Sequence, residues 1–263
     1  MKIGFVGCGK MTEAIVQGLC TSSDTQFLSH LEVVLSPRSK ERSTALALQF
    51  RACQVADSNQ QVVDTCDWVV LGVLPQHAEQ ILPTITFKAG QTIVSLLPRG
   101  LVDVRPLVAP ATEVVSAIPL PPVARHLGPT AIFPPHKEVE ALFARISLPV
   151  PVNDIVHLRT LQCATALLAP YYGLLDSVAT WMQLQGVDQA TASKYIGALF
   201  HANTVDALKV DGDGYRELCE ESVTVGGLNE QVLRELRDTG AYQHWTQALD
   251  HVFERLTPKN ESS

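Results

Sequence analysis

The chain has 263 residues, 46% of them hydrophobic, enough apolar material for a sizeable core in one or two domains. Its formal net charge is -7 and its Lys and Arg residues are scattered, which argues against nucleic acid or a membrane surface as a partner. The apolar runs are too short for a bilayer span, and the six cysteines (8, 20, 53, 66, 163 and 219) contain no CxxC pair.

The first strand begins at once, so no signal peptide is expected, and the thiols read as reduced packing groups in a cytoplasmic protein without a metal site. Ile3-Gly4-Phe5-Val6 reads as a short buried strand, Gly7-Cys8-Gly9 as a sharp turn, and Met11 to Leu19 as an apolar helix. A plain glycine turn would fit this stretch. Its place between an apolar strand and a helix favours a dinucleotide-binding turn. There the first glycine permits the turn, the second admits a pyrophosphate, and the helix N-terminus stabilises the charge. Backbone N–H groups from Gly7, Cys8, Gly9, Lys10 and Met11 are the expected pyrophosphate ligands. Thr12 stands at the third glycine position, which is expected to loosen helix–strand packing slightly. Cys8 reads as a small filler beside the phosphate.

Glu32 to Ser36 is the second strand, and Ser39 to Gln49 the next helix, with Ser39 as N-cap. An NAD site usually places a carboxylate at this strand end to hold the ribose 2′-hydroxyl. The chain has Ser36-Pro37-Arg38-Ser39-Lys40 instead. A carboxylate would repel a 2′-phosphate, whereas Ser36, Arg38 and Ser39 can bind one, so NADP(H) is preferred and NAD(H) is the second choice. The plainer reading leaves Arg38 and Lys40 as solvated charges at a helix start.

Gln54 to Ala56 is a short strand, Ser58 to Thr65 a helix, and Trp68 to Val73 a continuous apolar run suited to a doubly covered parallel strand. It ends at Leu74-Pro75-Gln76, a strand edge of the kind where ligands of open α/β sheets sit, and His77 follows. Thr92 to Leu96 and Glu113 to Ile118 repeat the pattern, each followed by a Pro-rich break, Leu97-Pro98-Arg99-Gly100 and Pro119-Leu120-Pro121-Pro122. Strands at Pro129–Phe133 and Leu148–Val152 flank a helix at Lys137–Ile146. The alternation predicts a doubly wound α/β sheet over residues 1–152.

From residue 153 to 263 only helices are expected. Asp154 to Leu168 is a long helix that Pro170-Tyr171-Tyr172-Gly173 interrupts or kinks, and Leu174 to Gln185 resumes it. Asp188 caps a helix to Val210, and the Asp211-Gly212-Asp213-Gly214 string reads as a turn because the rest of a calcium loop is missing. Tyr215–Glu221, Glu230–Asp238 (capped by Asn229) and Ala241–Leu256 complete the set, and the tail to Ser263 is expected to fray. Ala164–Leu175 and Tyr195–Leu208 are apolar on more than one side, which predicts a homodimer or higher homo-oligomer through these helices.

Across essentially its whole length the chain resembles the pyrroline-5-carboxylate reductase family. The most specific points are IGFVGCGKM at the start, LPQ after the fourth strand, and ELCEESVTVGGLNEQVL from Glu217 to Leu233. The resemblance implies an N-terminal Rossmann domain followed by an all-α dimerisation domain, and the reduction of a cyclic imine with NAD(P)H. By default that is pyrroline-5-carboxylate to proline. Leu74, Pro75 and Gln76, where the family has KPQ, are assigned to the cofactor's ribose edge. Thr224, Val225, Gly226, Gly227, Leu228 and Asn229 stand for the family's substrate loop and hold the substrate's polar end. The loop keeps both glycines and puts Asn229 where the family has a threonine. Leu120 replaces the asparagine of the family's MPN near the nicotinamide, and Ala166 to Tyr172 replaces its small SGSGPAY stretch. The substitutions make the expected pocket more apolar.

Imine reduction asks little of side chains, because the cofactor supplies the hydride and a protonated C=N is already electrophilic. The family's proton-donor position falls on Asn229, a hydrogen-bond donor but a poor acid, and Tyr171 or Tyr172 is the alternative donor in type. Packing at a helix kink is the plainer reading of both tyrosines. Two further readings stand beside the default: a same-fold imine or carbonyl reductase with a more apolar substrate, and a non-catalytic dinucleotide-binding homologue. Gly226-Gly227 counts against the last, because adjacent glycines are costly in chain entropy.

Overall fold

The computed structural model describes residues 1–98 and 104–257. The second half of the expected break at Leu97-Pro98-Arg99-Gly100, and the tail from residue 258, lie outside them. The chain divides into two compact units, Met1–Gln162 and Cys163–Ser263.

The first unit carries an eight-stranded sheet: β1 Lys2–Val6, β2 Glu32–Leu35, β3 Cys53–Val55, β4 Trp68–Leu71, β5 Thr92–Ser95, β6 Glu113–Ile118, β7 Pro129–Phe133 and β8 Leu148–Pro151. Their order is β3-β2-β1-β4-β5-β6-β7-β8. The first six are parallel, β7 runs antiparallel to β6, and β8 is parallel to β7. Strand order reverses between β1 and β4, the crevice where open α/β sheets bind ligands. Five of the connecting helices are α1 Lys10–Cys20, α2 Thr25–Ser29, α3 Lys40–Gln49, α4 Asn59–Thr65 and α5 Pro75–Ile81, and α6 Lys137–Phe143 joins β7 to β8.

Side chains alternate across each strand, so one sequence feeds two cores. Ile3, Phe5, Val33, Leu35, Val70 and Val94 meet Ile15 and Leu19 of α1, Leu46 of α3 and Phe143 of α6 on one face. Val6, Val34, Val69, Leu71 and Ile93 meet Val62 and Val63 of α4 and Ala78 of α5 on the other. Each fully buried aliphatic chain stabilises the unit by roughly 1.5–3 kcal/mol relative to exposure. The six cysteines are free thiols, with Cys20 and Cys53 in sulfur contact at 3.8 Å.

Helix α7 spans Ile155–Ala164, and a 3-10 turn at Thr165–Leu167 leads into α8, Leu168–Leu184. The expected kink at Pro170 is therefore misplaced. Pro170 sits in the first turn of α8, where its missing N–H would have no partner anyway, and the break falls ahead of it. The remaining helices are α9 Gln189–Ala207, α10 Gly214–Glu221, α11 Leu228–Asp238 and α12 Ala241–Leu256. Ala179, Ala192 and Ile196 form the buried centre of this second unit. The strand signal ends with β8 at Pro151, whereas the contact boundary falls at 162/163, so most of α7 is counted with the sheet. Short helices α2 and α5 had no clear apolar period in the sequence. Among the described residues, no helix is long and apolar enough to cross a membrane, and no three His, Cys, Asp or Glu side chains gather as a metal site.

Candidate functional site

A cavity of about 620 Å³ opens at the C-terminal edge of the sheet. Its floor is the turn Gly7-Cys8-Gly9 with Lys10 and Met11 of α1. Gly7 has φ +99, a conformation that side chains oppose, and a Cβ there would meet the Gly72 backbone at 2.7 Å. A Cβ on Gly9 would find only the Gly72 carbonyl oxygen, at 3.9 Å, so the backbone there faces open space that a phosphate can approach.

The packing expected to loosen at Thr12 is tight. Thr12 is buried, and its hydroxyl donates to the Gly7 carbonyl at 2.9 Å. Its Oγ1 occupies the place where a Cβ on Gly72 would fall, at 2.3 Å. A glycine at the end of β4 thus makes the room that the helix lacks.

Arg38 and Ser39 line the cavity as expected, and Arg42, one turn into α3, joins them. Among the described residues no Asp or Glu lines it, and Lys10, Arg38 and Arg42 make that lining cationic. Arg42 Nε lies 3.4 Å from Glu13 of α1. Cys8 is buried, and its thiol is pushed up to about 11 by that burial first and by the Glu13 charge second, against the pull of Arg42. It stays protonated at neutral pH, as a filler would.

Ser36 departs from its expected role. It is fully buried, and its hydroxyl accepts the Gly7 N–H at 3.0 Å, so it holds the turn and presents nothing to the cavity. Leu74 and Pro75 line the wall, but Gln76 does not: Pro75 opens α5, and the helical turn carries Gln76 outward into solvent. His77 lines the wall too. Ile118 and Pro119 close the far side, whereas Leu120, expected at the substrate, is absent from the lining and half-buried. The chain turns away there, as Leu120 starts a 3-10 turn at Pro121–Arg125.

The other expected residues lie in the second unit. Tyr171 packs its ring against Tyr172 at 5.7 Å and edge-on against Phe200 at 6.0 Å. Thr224 to Asn229 forms a glycine turn with Gly226 at φ +73. The Gly226 N–H donates to Glu230 at 2.6 Å and the Gly227 N–H to the Thr224 carbonyl at 2.8 Å, while Val225 and Leu228 are exposed. Asn229 is not the helix cap: α11 starts at Leu228 behind Gly227, and the Asn229 amide nitrogen donates to the Ser222 carbonyl at 2.9 Å. With both glycine amides engaged, the amides free of helical partners are those of the first turn, at Leu228 and Asn229.

Sequence reasoning did not single out Arg42, Gly72 or Pro119 as site residues. For Arg42 the available signal was its four-residue spacing from Arg38.

The sheet order and the glycine turn at the strand reversal define the first unit as a Rossmann-type domain. Residues 2–99 match the family described as NADP oxidoreductase, coenzyme F420-dependent. Over 98% of the chain and 94% of the relative, the sequence is 24% identical to pyrroline-5-carboxylate reductase 2 of Bacillus subtilis. A crystal structure of 1-pyrroline-5-carboxylate reductase from Streptococcus pyogenes superposes with a TM-score of 0.82 at 23% identity, covering 97% of this chain and 98% of that one. Pyrroline carboxylate reductase of Plasmodium falciparum, crystallised with NADP bound, gives 0.82 at 16% identity, covering 97% of each chain. The resemblance to the pyrroline-5-carboxylate reductases is thus borne out over nearly the whole chain.

Proposed function

We propose that this chain is an NADP(H)-dependent reductase that delivers hydride to the C=N carbon of a cyclic imine, converting pyrroline-5-carboxylate to proline. The observation that carries the reading is the cavity over the Gly7 turn, cationic at Arg38 and without a carboxylate among the described residues, in a chain similar to a pyrroline-5-carboxylate reductase over 98% of its length. The cofactor, when bound, supplies the hydride. Amides of Cys8 to Met11 bind its pyrophosphate and Arg38 and Ser39 its 2′-phosphate, with NAD(H) the weaker ligand. Leu74 and Pro75 exclude water from one wall.

The loop from Thr224 to Asn229 holds the substrate's carboxylate through the first-turn amides of α11. The Asn229 side chain, anchored on Ser222, positions that turn, and Tyr171 is the alternative donor of the proton. The protein acts in the cytoplasm as a homodimer or higher homo-oligomer joined through the second unit.

One observation favours a second reading, a more apolar imine: Leu74, Ile118 and Pro119 line the cavity with hydrocarbon.

Following NADPH absorbance with pyrroline-5-carboxylate, with NADH in parallel, tests both. Rapid oxidation preferring NADPH is the expected result. Oxidation only with bulkier, carboxylate-free imines would replace the first reading by the second, and none with any imine would overturn both.

A further inference from the structure

We propose that Cys20 and Cys53 form a peroxide-responsive thiol pair, whose oxidation to a disulfide latches the C-terminal end of α1 to the edge strand β3. Neither residue lines the cavity over the Gly7 turn, so this modification site stands independently of the dinucleotide reading.

Three observations carry it. The two sulfurs lie 3.8 Å apart although 33 positions separate them in the chain, and both are free thiols. Cys66 packs on the opposite face of the sheet, where its sulfur meets the Thr65 hydroxyl at 3.7 Å. The pair is also unequal in access: Cys53 is 8% exposed, whereas Cys20 is half-buried. Finally, both residues sit where the backbone has room to give. Cys20 is the last residue of α1, and Cys53 opens a three-residue strand bonded on one side only, to β2. A disulfide needs its sulfurs about 2 Å apart, so the remaining closure falls on a helix end and a sheet edge. The eleven residues of α1 put that helix end about 15 Å from the glycine turn.

The contact assigns the two roles. The Cys53 thiol donates to Cys20 and holds it below its ordinary value of 9.0, against the effect of burial. Cys53 is pushed up, by that bond first and by burial second. Thiolate character therefore sits on the more accessible sulfur and the proton on the buried one. The Cys20 thiolate attacks a peroxide oxygen: an S–O bond forms, the O–O bond breaks, and hydroxide leaves to take up a proton as water. Cys20 is thereby oxidised to a sulfenic acid. The Cys53 sulfur then attacks Cys20: the S–S bond forms, the S–O bond breaks, and the second hydroxide leaves as water with the Cys53 proton. Two thiols and one peroxide give one disulfide and two waters.

The test exposes the reduced full chain to hydrogen peroxide, unfolds it, blocks the remaining thiols with N-ethylmaleimide and maps tryptic peptides by mass spectrometry without reduction. The expected product joins the peptide of residues 11–38, which carries Cys20, to that of residues 52–88, which carries Cys53 and Cys66. A reducing dithiol should release it. Cys66→Ala should keep the crosslink, whereas Cys20→Ala and Cys53→Ala should each abolish it. The oxidised chain is expected to melt about 5–10 °C above the reduced one, because the closed loop restricts the unfolded chain. Cys53→Ala should show no such shift. Four results would each overturn the latch. One is both thiols still taking N-ethylmaleimide after peroxide, and another is Cys20 driven to sulfinic acid without a crosslink. The others are a crosslink that survives Cys53→Ala or joins two copies of the chain, and a crosslinked chain that melts no higher than the reduced one.

Discussion

The glycine turn is held by residues whose value shows only in their contacts. Ser36 has the residue type and position of a phosphate ligand at the end of β2, yet it is buried against the Gly7 amide. Ser36→Ala leaves that N–H without its partner and should cost about 1–3 kcal/mol in a denaturant melt. It should also weaken NADP+ and NAD+ alike, because the turn serves the shared pyrophosphate. Loss of NADP+ binding alone would return Ser36 to the 2′-phosphate. Gly72 makes the complementary point. Its missing side chain is the space Thr12 occupies, so Gly72→Ala forces atoms 2.3 Å apart and should destabilise by about 1–3 kcal/mol. Adding Thr12→Gly should recover much of that loss, and independent effects in the double variant would disprove the coupling.

Helix starts were the most legible elements, because a cap is a local signal. Asp188 was expected to cap α9, and its carboxylate accepts the Thr191 N–H at 3.1 Å. That bond, with the Thr191 hydroxyl contact as the largest cause, holds the carboxyl below the ordinary aspartate value of 3.8. A lowered folded value means the cap stabilises above the unfolded value and is lost as pH falls through the folded one. The melting temperature of Asp188→Ala should therefore lie below that of the unaltered chain at neutral pH and converge with it in acid. A constant gap down to low pH would show that the cap is not the cause. Asn229 was the opposite case. Its type suits a cap, but Gly227 takes that place and the asparagine reaches back to Ser222. Local propensity allowed both arrangements, and the path of the incoming loop chose between them.

At the scale of the molecule, the second unit leaves large apolar side chains in solvent: Trp181, Leu184, Tyr195 and Leu208 are 60–78% exposed. Exposure of this extent on long helices fits the proposed homo-oligomer. Light scattering should give a mass of at least twice 28.6 kDa, and Leu184→Glu should shift it toward the monomer. A monomer at micromolar concentration in the unaltered chain would remove the dimer from the account.

The sequence by itself determined the alternating half, the change to helices, and the glycine turn with arginine and no carboxylate after β2. Those are matters of residue type and spacing over a few turns, and period-2 and period-3.6 patterns report them directly. The tertiary structure decided which side chains reach the cavity. It buried Ser36, turned Gln76 and Leu120 away, and brought in Arg42 from the next helix. A residue's access to a site depends on the directions of strand ends and on what packs behind them. Those directions come from strand order and helix docking, through partners tens of residues away that no local pattern encodes.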